Sequence, residues 1–140
     1  MIRMKIEIET RAKYYEVICQ LIFDYGVCST IKVIFIALSI INLENFYEGT
    51  SKKYGLIEYM LSGIKIGIEH KRIEITYILD ILKLLEKGQM IKIENNIIKV
   101  QKIPSYEGNN LLKSPLIQRA LLELEKISEE DLIKELIEYV

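Results

Sequence analysis

The stretch IEITYILDILKLLEKGQMIKIENNIIKVQK, Ile73 to Lys102, changes its hydrophobic period once, and that change constrains most of what this chain can fold into. Ile75, Ile78, Leu79, Leu82 and Leu85 recur at steps of three and four, with Ile81 and Leu84 at the shoulders, so Ile73 to Lys87 is predicted as an amphipathic helix. Gly88 is the expected left-handed stop. Beyond it the period falls to two, and Asn95-Asn96 suits a two-residue type I′ turn because Asn tolerates the positive φ required at both central positions. That turn pairs Glu94 with Ile97, Ile93 with Ile98, Lys92 with Lys99 and Ile91 with Val100. Ile91, Ile93, Ile98 and Val100 then share one face, which must pack on the body of the domain.

The other face sets Lys92 directly against Lys99, an arrangement that costs up to ~1 kcal/mol relative to a neutral pair. An anion, from nucleic acid phosphate or a protein carboxylate, would relieve it; two lysines splaying into water would also do so at little cost. Helix, glycine and hairpin, with a short strand expected at Ile64 to Ile68, read as the second half of a winged-helix module spanning about residues 56–103. In a DNA reader of that type the helix before the wing offers Arg, Asn, Gln or Lys to base edges. Here the outward positions are Thr76, Asp80, Lys83 and Lys87, with Glu74 and Glu86 at the margins, so carboxylates would face phosphates. Sequence-specific reading is disfavoured. Lys83, Lys87, Lys92 and Lys99 remain candidates for contact with a partner protein or, without sequence preference, with phosphate.

A very apolar helix, a polar loop and then ITYILDILKLLEKGQMIKIENNIIKVQK is an order similar to that of the small middle components of three-component ABC systems. Those proteins accompany an effector and a Rad50-like or SMC-like ATPase in bacterial defence against phage and plasmids. The resemblance covers mainly Ile73 to Lys102 and is one of apolar spacing. It implies an adaptor without activity of its own, and it carries over no functional residue.

The rest of the chain is consistent with one domain, 1–140, of α+β class and mostly helical. Met1 to Glu9 alternates Ile2, Met4, Ile6 and Ile8 with charged residues and is expected as a half-buried strand. Ala12 to Asp24 has helical spacing and ends near Gly26. Ser29 or Thr30 can cap a helix over Ile31 to Leu43 that is apolar nearly all round and belongs in the core. That run is too short for the ~20 apolar residues of a membrane span. Asn45 to Gly55 has loop composition, and EGTSKKYG lacks the glycine spacing of a phosphate cradle. Leu56 to Leu61 is expected as a short helix, and His70 to Arg72 as a turn with a solvated histidine.

After a loop over Pro104 to Asn110, Ser114-Pro115 marks a helix start whose buried side is Leu116, Ala120, Leu121 and Leu124. Ser128, with Asp131 three residues on, caps a last helix, so about residues 114–140 form a C-terminal helical part. Leu132, Ile133, Leu136, Ile137 and Val140 make its stripe, with Leu132, Leu136 and Ile137 the candidates for docking on a partner. Bases outnumber acids from Ser62 to Leu112 and acids outnumber bases after it, which suits either a homodimer or simple solvation.

Half of the residues are hydrophobic and 28% charged, with a formal net charge of -1, so no overall field draws the chain to nucleic acid. Cys19 and Cys28 lie in apolar sequence with no ligand spacing and are expected as buried thiols in a reducing, cytoplasmic compartment. No signal-peptide pattern opens the chain. No catalytic, metal-binding or cofactor constellation emerges. The expectation is a non-enzymatic adaptor docking to a larger ATPase or effector, with a winged-helix transcription regulator as the alternative.

Overall fold

The computed structural model describes residues 2–43, 73–108 and 110–139. Helix α1, Ile2–Cys19, runs on into a π-helical turn, Gln20–Asp24, and is followed by α2, Thr30–Leu43, and α3, Ile73–Lys87. A hairpin of β1, Ile91–Glu94, and β2, Ile97–Val100, comes next. A short 3-10 turn, Asn110–Lys113, then leads to α4, Pro115–Lys126, and α5, Glu129–Tyr139. The described chain is therefore mostly helical with one antiparallel hairpin. The expectations for the loop at Asn45 to Gly55, the short helix at Leu56 to Leu61, the strand at Ile64 to Ile68 and the turn at His70 to Arg72 lie outside the described residues.

The core is where α1, α2 and α3 meet. Tyr14, Val17, Ile18, Leu21 and Ile22 face Val33, Ile36, Ala37 and Ile40 of α2 and Ile78, Leu82 and Leu85 of α3. Helix α2 is buried as its composition demands, and Ser29, at its start, accepts a hydrogen bond on Oγ from the Lys32 amide at 3.2 Å. Helix α3 has the predicted bounds.

Three expectations are corrected here. The first is the strand expected over Met1 to Glu9, where Ile2 to Glu9 is helix. Met4, Ile6 and Ile8 are all exposed there, so the alternation buries no face. The segment extends the helix nucleated by the buried face of Tyr14 to Ile22, and propagation costs far less than nucleation. A Glu7–Arg11 ion pair at 3.2 Å adds local support. Second, Gly88 is not the left-handed residue; Gln89 is, at φ 62°. The Met90 amide reaches the Leu85 carbonyl at 2.9 Å, so the chain closes α3 one residue later than a glycine stop would. Third, Cys19 is buried but Cys28 is exposed, because Cys28 lies in the turn between the π-helical segment and α2.

Gly26, at φ 68°, makes the stop that ends the π-helical turn. The turn itself is closed by Tyr25 N to Gln20 O at 3.0 Å. Residues 101–108 strap across it: Tyr106 donates its phenol to Asp24, and its ring lies 6.0 Å from that of Phe23.

The hairpin has the predicted register at every pair, and Asn95 and Asn96 take φ 52° and 64°. Ile91 and Ile98 are buried and Ile93 is half-buried, but Val100, at the open end, is 50% exposed. A third segment joins this ribbon. Ser29 bridges Ile97 in antiparallel sense, the Ile98 amide donates to Cys28 O at 2.7 Å, and the Thr30 amide donates to Asn96 O at 3.0 Å. The extra pairing partner is thus the turn before α2.

In the C-terminal part Ile117, Ala120 and Leu124 are buried, while Ser114 sits at the cap position with no side-chain hydrogen bond. Ser128 does cap α5, its Oγ accepting from the Asp131 amide at 3.1 Å.

A buried polar tie crosses the three-helix core. Tyr14 donates to Glu74 Oε1, and Asn42 hydrogen-bonds the same phenol. Glu74 is only 3% exposed, which corrects its expected place on the outer margin of α3. Burial first, and the Glu74 carboxylate second, push the Tyr14 phenol well above its ordinary range, so it remains a donor. Tyr14→Phe removes a bond to a buried charge and is expected to cost about 2 kcal/mol in urea unfolding, with little change in the slope of the transition. The two thiols give a second check: Ellman's reagent should titrate Cys28 in the native protein and both cysteines only after denaturation, since burial pushes Cys19 up to about 11.

Candidate docking surface

Every candidate lysine faces water. Lys83 and Lys87 lie on the outer side of α3 with Thr76, and Lys92 and Lys99 stand on the outer face of the hairpin. Leu79 and Leu84 are exposed among the α3 lysines, which the sequence had assigned to a buried stripe and its shoulder.

The acids that were expected to face phosphate are engaged elsewhere. Glu74 is inside. Asp80 lies 3.9 Å from Arg11, whose guanidinium covers the Tyr77 ring at 4.4 Å. Glu86 accepts the Ile93 amide at 3.1 Å, a hydrogen bond that caps the outer edge of β1. Meanwhile residues 28–30 occupy the outer edge of β2. The outward amides of Ile93 in β1 and Ile98 in β2 are therefore both engaged, which leaves this ribbon little free edge for a further strand.

The lysine pair resolves differently from either expectation. Glu94 Oε1 lies 2.8 Å from Lys92 Nζ, and Glu94 Oε2 lies 3.1 Å from Lys99 Nζ. One carboxylate bridges both cations, so the anion is supplied by the chain itself. The hydrogen bonds from Lys92 and Lys99 hold the Glu94 carboxyl down at about 2, and the bond to Glu94 raises Lys92. The sequence signal was present: Glu94 lies two residues from Lys92 on the same face, diagonal to Lys99.

The terminal helix splits its stripe. Leu132 is 1% exposed and packs on its own chain, Leu136 is half-buried, and Ile137 is 70% exposed with Ile133 beside it at 37%. Of the three candidates on α5, Ile137 is the one fully presented to a partner. Ser29 Oγ donates to Glu129 Oε1 at 2.6 Å, which seats the start of α5 next to the residue that bridges Ile97.

A cavity of about 270 Å³ opens between the turn at 25–29, α2 and α4. Val27, Ile36, Leu121 and Leu124 line it, Gln118 Nε2 donates to Tyr25 Oη at 2.7 Å at its rim, and Lys32 Nζ reaches the Glu125 carbonyl at 3.4 Å. Cys28 also lines it, with no histidine or carboxylate hydrogen-bonded to the thiol among the described residues. Among the described residues no group of His, Cys, Asp and Glu is placed to hold a metal ion, and no helix is long and apolar enough to cross a membrane. Comparison with protein-family models, curated proteins and solved structures gives no match to this chain.

The bridging role of Glu94 has a pH signature. Its folded pKa lies below the ordinary glutamate value of about 4.3, so its contribution is complete above that value and is lost as pH falls through about 2. An NMR titration of the Glu94 side-chain carboxyl should give a midpoint near 2 in the native protein at low salt. In Lys92→Ala that midpoint should move back toward the ordinary value, and high salt should move it the same way because the group is fully exposed.

Proposed function

We propose that this chain is a winged-helix-like adaptor subunit, without catalytic activity, that docks to a larger protein. The order of the described elements supports the winged-helix reading: a helix, a short extended segment at 28–29, a helix from Thr30 and another from Ile73, then a hairpin whose second strand pairs with that segment. The single observation that carries the docking reading is the Glu94 bridge. A wing whose two lysines share a carboxylate of their own has half of its positive charge offset and gains less from a polyanion, whereas it can still contribute to a protein interface.

The larger partner docks on the outer side of α3, where Lys83 and Lys87 alternate with the exposed Leu79 and Leu84. Exposed leucines suit the apolar centre of a protein-binding face, with the lysines at its polar rim. The same face offers no Arg, Asn or Gln to base edges, which sets the transcription-regulator reading second. The resemblance to middle components of three-component ABC systems points to an SMC-like ATPase or an effector as the partner, in a cytoplasmic defence complex.

Two measurements test this. Charge reversal at Lys83→Glu with Lys87→Glu should remove the larger protein that co-purifies with the wild-type chain from its native host, with thermal stability within about 0.5 kcal/mol of wild type. Gel-shift titration with duplex DNA should show only weak binding that disappears by physiological salt. Specific DNA binding that persists there would replace the adaptor reading by the regulator reading.

A further inference from the structure

We infer that two copies of this chain associate through a twofold contact in which α5 of one copy lies against the wing of the other. The surface concerned carries both halves of a complementary pair side by side. Helix α5 has Glu129, Glu130, Asp131, Glu135 and Glu138 against Lys134 alone, whereas the wing and the residues after it, 91–102, have Lys92, Lys99 and Lys102 against Glu94 alone. Among the described residues no ion pair joins the two sets, so neither neutralises the other within one chain. They are nevertheless neighbours, because Ser29 bonds Glu129 and bridges Ile97.

A patch with an acidic half next to a basic half is complementary to itself when turned by a half rotation, which is the condition for a closed, isologous dimer. Apolar contact comes with it. Ile137 and Ile133 are exposed along one edge of α5, and Ile97 is 50% exposed on the same face of the ribbon as Lys92 and Lys99. An eleven-residue helix that buries, among its described side chains, Leu132 fully and Leu136 in part is marginal by itself, and covering Ile133 and Ile137 adds burial. The outer side of α3 near Leu79 and Lys83 stays open, so the dimer offers two docking faces to the larger partner. The inference rests on the adaptor reading only for that last consequence.

Sedimentation velocity on the full chain at 50 mM and 500 mM NaCl tests it, with circular dichroism confirming that each variant is folded. Wild type should be a dimer whose dissociation constant rises at least tenfold between the two salt concentrations. Lys92→Glu with Lys99→Glu should be monomeric, and so should Glu130→Lys with Glu138→Lys, since each makes both contacts repulsive. Mixing these two variants should restore a dimer, because one contact then sets the acidic wing against the basic α5 and the other keeps the native basic wing against the native acidic α5. Ile137→Ser, which leaves the charges unchanged, should weaken association about tenfold. A monomeric wild type at 100 μM, a dimer indifferent to both reversals, or growth into larger oligomers would each overturn the twofold contact. None of these outcomes bears on the Lys83 and Lys87 co-purification experiment, so the two proposals fail separately.

Discussion

The capture of β2 by the turn before α2 is the constraint from which the rest of the described structure follows. An isolated two-stranded ribbon is marginal in water, and it becomes stable when a further segment or a helix covers it. Here both do so. The Cys28 carbonyl accepts the Ile98 amide and Asn96 accepts the Thr30 amide, while Ile91 and Ile98 pack into the core shared with Leu85. The same few residues start α2 through the Ser29 cap and hold Glu129 at the beginning of α5. Local failure at 28–30 would therefore loosen the wing, the α2 start and the terminal helix together.

Strong periodicity made the second half of the fold legible. In α3 and the hairpin the period and the Asn-Asn turn chemistry agree, so bounds and register emerge from sequence, although the burial of Glu74 and the exposure of Leu79, Leu84 and Val100 do not. Met1 to Glu9 shows the opposite case. Its period of two is real, but a strand needs an edge to pair with, and Glu86 and residues 28–30 already engage an outward amide on each edge of the only ribbon among the described residues. Availability of a partner is a tertiary fact that a local period does not encode. Ser29 as a pairing segment was invisible for the same reason, since one bridging residue leaves no pattern.

Side-chain chemistry was less legible than backbone form. Glu74 sits on a helix flank where charge normally means solvent, yet a tyrosine from α1, sixty positions earlier in the chain, makes its burial tolerable. Nothing near Glu74 in sequence announces Tyr14. Glu94 differs: its spacing from Lys92 and its diagonal to Lys99 follow from the hairpin register, so the bridge is encoded within six residues of either lysine. Cys28 follows from a composition argument applied to a turn, where apolar neighbours in sequence do not become neighbours in space.

That local carboxylate also decides how the wing's charge should be understood. Two facing lysines without Glu94 would present concentrated positive potential, the feature that draws a polyanion. With Glu94 holding one oxygen toward each ammonium, the outward field falls, but hydrogen-bonding capacity survives, because each ammonium has three donors and the carboxylate takes one from each. What the face keeps is directional recognition rather than long-range attraction. Discrete carboxylates on a folded protein surface, at fixed spacing and beside apolar side chains such as Ile97, satisfy that geometry better than a uniform chain of phosphates does. On the proposed adaptor reading the hairpin is a short-range docking element, and the placement of one glutamate gives it that character.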